Sequence, residues 1–230
     1  MVNRKKIVII EDEPDILEVL SYNLKREGYV VLTTLDGDAG LSLVQKEKPD
    51  LVLLDLMLPG RDGIEICSSI KNDNDLINTL VIMVTAKGEE SDVVLGLGVG
   101  ADDYVSKPFS PRELVARVKA VLRRGKLLEL KPEKEKIEYG DLLIDTQKHK
   151  VLVKRTEIKL TATEFRILHF LASHSGRVFS REQLLNKALG DATIVVDRNI
   201  DVHIRGIRKK LAIQPPLIET IRGVGYRFKE

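Results

Sequence analysis

Short apolar runs alternate with amphipathic stretches along the first half of the chain. Runs such as Leu51–Leu54 are continuous and end at turn residues, which is typical of strands buried on both faces of a sheet. Strands are predicted at Ile7–Ile10, Tyr29–Thr33, Leu51–Leu54, Leu80–Val84 and Tyr104–Val105. Helices are predicted at Glu13–Arg26, Asp38–Lys48, Ile64–Lys71, Ser91–Leu97 and Pro111–Arg124. This alternation predicts an α/β fold, a doubly wound parallel (βα)5 sheet with helices on both faces.

The pattern changes in the second half. Short strands at Leu142–Ile144 and Val151–Val153, with turn residues between them, predict a small antiparallel sheet. Capping-box spacing opens two helices, at Thr161/Glu164 and at Ser180/Gln183. A third helix at about Asp197–Leu211 and a closing hairpin, Leu217–Thr220 with Gly225–Phe228, follow. Three helices with terminal β-elements predict an α+β winged helix-turn-helix.

The domain boundaries follow from these two patterns. Residues 1–124 form the α/β domain and residues 137–230 the winged-helix domain. The segment 125–136 is charged and poor in large apolar residues after Leu130, so it is predicted to be the linker.

Composition places the chain among globular proteins of the cytoplasm. It has 230 residues, 43% hydrophobic and 31% charged. No apolar stretch reaches membrane-spanning length, and no signal-like leader opens the chain, so no membrane partner is expected. Cys67 is the only cysteine, which excludes a disulfide framework and a thiolate zinc site.

Charge is distributed unevenly between the halves. Residues 1–124 carry 16 basic and 21 acidic residues, a net charge of −5, whereas residues 125–230 carry 21 and 14, a net charge of +7. A basic second half suggests a nucleic-acid partner, although charge alone does not exclude chance asymmetry.

Chemistry-bearing side chains end four of the predicted strands. Glu11-Asp12 follows the first strand, Asp55 the third, Thr85 ends the fourth and Lys107 the fifth. Ligands bind at the carboxyl edge of such sheets, so these groups are expected to converge. Clustered carboxylates repel unless a cation intervenes, and oxygen ligands favour Mg²⁺ or Mn²⁺ beside a phosphate. Any one of these residues alone is equally explained as a turn or loop residue, whereas all of them together are not.

Residues 1–124 resemble a response-regulator receiver domain of the CheY-like, flavodoxin-like type. The matching runs are Ile10–Glu13, Leu54–Pro59, Asp62-Gly63, Val84–Ala86, Gly100–Tyr104 and Ser106–Phe109. The resemblance implies that Asp55 accepts a phosphoryl group from a sensor histidine kinase. It also implies that Glu11, Asp12, Asp55 and the Met57 carbonyl hold Mg²⁺, that Thr85 and Lys107 contact the phosphoryl group, and that Thr85 and Tyr104 form the switch.

Residues 137–230 resemble the winged-helix effector domain of the OmpR/PhoB subfamily of two-component response regulators. The matching runs are Leu160–Phe165, Ser180–Leu185, Asp201–Arg205 and Arg222–Phe228. The resemblance implies binding to double-stranded promoter DNA, with the third helix in the major groove and the hairpin in the minor groove. The expected contacts are Arg198, His203, Arg205, Arg208, Thr220, Arg222 and Tyr226. RNA polymerase is an expected partner, and phosphorylation is expected to favour a homodimer.

Three features depart from the subfamily pattern. Gly206 stands where relatives carry a base-reading Arg, so base specificity is expected to be reduced or to move to Arg205. Leu189 replaces a Trp of some relatives, next to the unlike loop 191–196. In the dimer interface of the fourth and fifth receiver helices, Val93, Leu95 and Gly98 replace charged partners; the expected contacts are Val93, Leu95, Asp102, Asp103, Glu113, Arg117 and Lys119.

Other functions remain open from the sequence alone. Haloacid-dehalogenase phosphatases use a set similar to Asp12, Asp55 and Lys107, but they need a second acid where this chain has Met57. We therefore expect no enzymatic activity, except that the domain assists its own phosphorylation and dephosphorylation. A phosphorylation-independent regulator is left open by the altered fourth helix, although the complete acidic pocket speaks against it. An interaction module without DNA binding is supported only by Gly206.

Overall fold

The computed structural model describes residues 4–86, 99–126, 136–189 and 198–230. The chain divides into two compact units, Met1–Leu122 and Arg123–Glu230. Within the described residues, no helix combines the length and apolar character needed to cross a membrane.

The first unit is a parallel sheet covered by helices, as predicted. Its strands are β1 (Lys6–Ile10), β2 (Val30–Thr34), β3 (Leu51–Asp55), β4 (Leu80–Ala86) and β5 (Asp103–Lys107), in the spatial order β2-β1-β3-β4-β5. Its described helices are α1 (Pro14–Arg26), α2 (Gly37–Glu47), α3 (Gly63–Asn72) and α4 (Pro111–Lys126). The helix predicted at Ser91–Leu97 lies outside the described residues. β1 and β3 are therefore neighbours at the centre of the sheet.

The apolar runs explain the central strands. Val8, Leu53 and their neighbours in β1 and β3 are almost completely buried, because helices cover both faces of the sheet. The polar residues that follow these runs mark the point at which each strand leaves the core. Strand β5 is longer than its apolar pair Tyr104–Val105 predicted, since Ser106 and Lys107 continue the pairing with Thr85 and Ala86.

A glycine fixes the start of α3 against β3. Asp62 caps α3 by accepting a hydrogen bond from the Ile64 amide at 2.7 Å. The Gly63 amide donates to the Leu56 carbonyl at 3.1 Å. A β-carbon at Gly63 would collide with the Asp55 carbonyl oxygen. Only glycine therefore allows this close approach beside Asp55.

The second unit contains a four-stranded antiparallel sheet, in the order β6-β7-β8-β9, followed by helices and a three-stranded sheet. The first sheet comprises β6 (Lys136–Tyr139), β7 (Leu142–Asp145), β8 (Lys150–Val153) and β9 (Thr156–Ile158). The helices are α5 (Ala162–Ser173), α6 (Arg181–Leu189) and α7 (Arg198–Leu211), and the closing strands are β10 (Val178–Ser180), β11 (Ile218–Ile221) and β12 (Gly225–Phe228). Three of these strands, β6, β9 and β10, were not predicted, because each has only three or four residues and lacks a continuous apolar run.

Both predicted capping boxes are present. Thr161 Oγ1 accepts from the Glu164 amide at 3.3 Å, and Glu164 Oε2 accepts from the Thr161 amide at 2.8 Å. Ser180 and Gln183 repeat the exchange at 3.1 and 3.0 Å. The sequence signature therefore located the starts of α5 and α6 correctly.

Helical and strand residues occupy both ends of the predicted linker segment. Helix α4 continues to Lys126, two residues into the predicted linker, and β6 begins at Lys136, its last residue. The segment between them lies outside the described residues, so the linker bounds remain a prediction.

Candidate functional site

Three carboxylates converge where β1 and β3 end. Glu11, Asp12 and Asp55 each offer a ligand oxygen, and these three oxygens lie within 4.8 Å of one another. Glu11 and Asp55 are buried, whereas Asp12 is partly exposed. The adjacency of β1 and β3 produces this cluster, as the order of a doubly wound sheet predicts.

Lys107 closes the pocket from the end of β5. Its Nζ donates to Asp55 Oδ2 at 2.6 Å, to Glu11 Oε1 at 2.7 Å and to Glu13 Oε1 at 2.8 Å. The peptide bond from Lys107 to Pro108 is cis. An ammonium has three donors, and each of them meets a carboxylate here. Glu13 is an addition to the predicted set; it precedes α1 and uses its carboxylate on Lys107 rather than on a helix cap.

The second oxygen of Glu11 makes the pocket a candidate cation site. Glu11 Oε2 is buried and has no hydrogen-bond partner among the described residues. Burial raises the pKa of Glu11 to about 7, and the nearby Asp55 adds to this effect while Lys107 opposes it. A buried oxygen without a partner, beside two further carboxylates, suits a hard divalent cation. The described residues therefore fit Mg²⁺.

The raised pKa of Glu11 predicts a pH-dependent stability. The folded protein keeps the Glu11 proton up to about pH 7, whereas the unfolded chain loses it near 4.5. The contribution of Glu11 to the free energy of unfolding is therefore most favourable below pH 4.5 and is lost as the pH rises through 7. In a chelating buffer, wild type should therefore lose about 2 kcal/mol of unfolding free energy as the pH rises from 5 to 8. Glu11→Gln has no carboxyl at this position and should not show this loss.

Denaturant unfolding at the two pH values measures this difference. Glu18→Gln, which changes an exposed carboxylate of α1, should follow wild type at both. Parallel pH curves for wild type and Glu11→Gln would show that the Glu11 carboxyl titrates normally.

The remaining pocket residues lie around this cluster. Thr85 is buried near the end of β4, one residue before the position that pairs with Lys107. The Met57 amide donates to Asp55 Oδ1 at 3.0 Å, and its side chain is exposed. Tyr104 is half-buried in β5. The roles of the Met57 carbonyl as a ligand and of Thr85 and Tyr104 as the switch remain predictions.

The predicted dimer contacts include residues that the structure uses inside one chain. Asp102 is not on a surface: its side chain is 0% exposed and Oδ2 accepts from Lys71 Nζ at 2.7 Å. The same oxygen accepts from the Val81 amide at 2.9 Å. Asp102 therefore has its partners within the chain, and its place in the dimer interface remains a prediction.

The neighbouring charges also pair within the chain. Asp103 is buried and lies 3.5 Å from Arg117, which binds Glu113 at 3.1 Å as well. Lys119 pairs with Glu27 at 2.6 Å. Asp103 thus has a partner within the chain, whereas Glu113, Arg117 and Lys119 keep some exposure, and all four remain predicted dimer contacts. Val93, Leu95 and Gly98 lie outside the described residues.

The predicted DNA contacts separate into exposed and internal residues. Arg205 is exposed on α7, and Thr220 and Arg222 are exposed on the β11–β12 hairpin. Two other expected contacts are largely internal: His203 and Tyr226 are only 3% and 4% exposed, and their roles at DNA remain predictions. His203 belongs to the buried face of α7, beside Ile204 and Ile207. The side chain of Arg198 lies outside the described part of the chain.

Arg208 connects α7 to the hairpin. Its guanidinium donates to the Ile218 carbonyl at 2.7 and 3.0 Å and to Thr220 Oγ1 at 2.8 Å. The Tyr226 ring lies beneath this guanidinium at 5.7 Å and beneath that of Arg181 at 5.4 Å. Sequence reasoning missed Arg181, because its position at the start of a helix gives no sign of its partners.

Gly206 faces α5. A β-carbon at this position would lie 2.6 Å from Glu164 Oε1. Glu164 is held by its capping box and by Lys210, whose Nζ lies 2.6 Å from Oε2. The sequence suggested that Gly206 weakens base reading; its position shows a packing reason for glycine.

Comparison with known proteins agrees with the two-domain architecture. Residues 7–119 match the family model of the response regulator receiver domain, and residues 155–228 match that of the transcriptional regulatory protein, C terminal. The phosphate regulon transcriptional regulatory protein PhoB of Rhizobium meliloti is 46% identical over 228 residues, covering 97% of this chain and 98% of that protein. PhoB of Escherichia coli is 42% identical with 97% of each covered, and the alkaline phosphatase synthesis regulator PhoP of Bacillus subtilis is 43% identical with 98% and 97% covered.

Solved structures of similar chains include full-length regulators. The response regulator DrrB of Thermotoga maritima, an OmpR/PhoB homologue, is 38% identical, with a TM-score of 0.52 and coverage of 99% of this chain and 100% of that one. A mutant of RitR is 28% identical, with a TM-score of 0.78 and coverage of 98% and 99%. A further chain at 28% identity and a TM-score of 0.51, covering 98% and 99%, is described as one of a family of streptococcal redox sensors that evolved from response regulators.

Proposed function

Because this chain belongs to the OmpR/PhoB-type response regulators, we propose that Asp55 is its phosphorylation site and that the acidic pocket is its receiver site. The chain is a phosphorylation-dependent, DNA-binding transcription regulator, a class that is not one of classical enzymes. A histidine kinase and promoter DNA are the partners that its two domains imply. The observation that carries the assignment of Asp55 is its bond to Lys107 at 2.6 Å beside two further carboxylates.

The proposed reaction is a phosphoryl transfer to Asp55. A carboxylate oxygen attacks the phosphorus of a phosphohistidine, the P–N bond breaks, and its electron pair remains on the imidazole. Lys107 already contacts Asp55 and compensates the charge that arrives. Glu11, Asp12, Asp55 and the Met57 carbonyl would hold Mg²⁺ or Mn²⁺, which would supply further positive charge during the transfer. Thr85 supplies a hydroxyl to the phosphoryl group.

The product serves as a signal. The acyl phosphate on Asp55 shifts the receiver between two states that Thr85 and Tyr104 distinguish, and the shifted state favours a homodimer. Two effector domains then bind adjacent half-sites together, which raises their apparent affinity. Hydrolysis of its own acyl phosphate is the only turnover proposed for the receiver, and RNA polymerase is the proposed recipient of the signal on DNA.

Promoter binding with and without a phosphoryl donor tests this function. Wild-type protein in Mg²⁺ is treated with acetyl phosphate or left untreated, and each sample selects duplexes from a random library. The treated protein should bind the selected duplex more tightly and sediment as a dimer. Equal affinity of the treated and untreated protein, with phosphorylation confirmed by mass spectrometry, would favour a phosphorylation-independent regulator.

A redox sensor is the second function considered, because one similar structure is described as such. The only cysteine of this chain is Cys67, on the buried face of α3. Burial raises the pKa of its thiol to about 12. The thiolate is the reactive form of cysteine, so this side chain is poorly suited to sensing oxidants. The pocket around Asp55 therefore gives the better account of the switch.

A further inference from the structure

Asp201 is an acidic residue on the helix that is expected to meet DNA. It lies in the first turn of α7, which continues with Arg205, Arg208, Lys209 and Lys210. A carboxylate near a helix N-terminus is favoured by the helix dipole. Near DNA, however, a negative charge opposes binding to phosphates. Its presence calls for a compensating role.

Asp201 joins three elements of the effector domain. Its carboxylate accepts two hydrogen bonds from Arg181, the first residue of α6, at 2.7 and 3.2 Å. The Tyr226 hydroxyl, from β12, donates to the same Oδ1 at 2.8 Å. Burial raises the pKa of Asp201, but the bonds from Arg181 and Tyr226 outweigh it and, with the charge of Arg205, lower the pKa overall. The carboxylate is thus ionised and engaged from two sides.

The contacts continue into the hairpin. Tyr226 is buried with its ring beneath Arg181 and Arg208, and Arg208 binds Ile218 and Thr220 of β11. This network (Arg181, Asp201, Tyr226 and Arg208) connects α6, α7 and the hairpin through polar bonds. It therefore fixes Arg205 of α7 relative to Arg222 of the hairpin, the two exposed arginines expected to enter separate grooves.

We propose that Asp201 is a positioning residue for sequence-specific DNA binding, which holds the α7 helix and the hairpin at the separation that specific DNA requires. The proposal rests on the proposed function of the effector domain. Its consequence opposes simple electrostatics: removal of this negative charge weakens specific binding although the protein becomes more basic. Binding to DNA of arbitrary sequence, which depends on total charge, does not weaken.

The test compares two acids at matched positions. Asp201 and Glu182 each lie in the first turn of a helix, but Glu182 is exposed on α6 outside the network. The probes are the duplex selected by donor-treated wild type and a random-sequence duplex of equal length. Asp201→Ala should bind the selected duplex about tenfold more weakly and the random duplex at least as well as wild type. Glu182→Gln should lose affinity for neither.

Two milder variants separate positioning from folding. Tyr226→Phe removes only the hydroxyl, and Asp201→Asn keeps an acceptor oxygen but not the charge. The affinity of each for the selected duplex should lie between that of wild type and that of Asp201→Ala, and the thermal unfolding of each should match that of wild type. The double variant Asp201→Ala/Tyr226→Phe should bind the selected duplex no more weakly than Asp201→Ala, because the effects of substitutions within one network are not additive.

The results that would contradict the role of Asp201 differ from those that would contradict DNA binding. If folded Asp201→Ala bound the selected duplex as tightly as wild type, the positioning role would be refuted. If Asp201→Ala did not fold, wild-type affinity of Tyr226→Phe for that duplex would refute it instead. Failure of wild type to select any duplex would instead refute the DNA-binding function itself.

Discussion

Asp55→Asn should abolish phosphorylation by acetyl phosphate and, with it, the donor-dependent gain in DNA affinity. Asn has nearly the shape of Asp but no anionic oxygen to attack phosphorus. Lys107 would keep Glu11 and Glu13 as partners, so the pocket should remain folded. Intact-mass spectrometry after donor treatment should find no phosphoprotein, and binding to the selected duplex should equal that of untreated wild type.

Two comparisons make this result decisive. Asp15→Asn changes an exposed acid in the first turn of α1 and should be phosphorylated as wild type. Asp12→Asn should keep Asp55 but need more Mg²⁺ to reach the same rate, because one proposed ligand is neutral. A phosphoprotein formed normally from Asp55→Asn would place the acceptor elsewhere.

Asp102→Ala should cost about 3–5 kcal/mol of unfolding free energy in the first unit. The substitution leaves the Lys71 ammonium, 2% exposed, without its carboxylate, and the Val81 amide without its acceptor. Thr79 still accepts from Lys71 at 2.7 Å, but a carbonyl does not neutralise the charge. Hydrogen exchange of the β3 and β4 amides in the full chain, followed by mass spectrometry, measures the loss.

An exposed pair and a double variant serve as controls. Lys48 and Asp75 pair in solvent, where water screens the attraction, so Asp75→Ala should leave the exchange rates close to those of wild type. Lys71→Met/Asp102→Leu removes both charges and should recover most of the stability. A loss confined to dimer formation, with wild-type exchange in the monomer, would contradict this prediction and support Asp102 as an interface residue.

The pocket was predictable because its residues follow apolar runs. Each run locates a strand, and the carboxyl ends of parallel strands meet at one edge, so Glu11, Asp55 and Lys107 converge without further information. Glu13 was not predicted to join them. Its contact with Lys107 depends on the entry of α1, which the pattern of apolar residues does not specify.

Burial of polar residues was the part that the sequence did not predict. Asp102 and Asp103 lie in a charged run that is typical of a surface, yet Lys71 of α3 and Arg117 of α4 form ion pairs with them. His203 lies on the same basic helix as Arg205 but on its buried face. Charge indicates that a residue is polar, whereas only the packing of distant elements decides whether solvent or a partner side chain satisfies it.

The contact between Gly206 and Glu164 limits how the DNA preference of this protein can be redesigned. In a library that varies α7, any side chain at position 206 would require the Glu164 carboxylate, which also accepts from Thr161 and Lys210, to move. Variation belongs at the exposed positions Arg205 and Lys209 instead. The same helix thus offers a narrow set of positions at which new specificity and a stable fold are compatible.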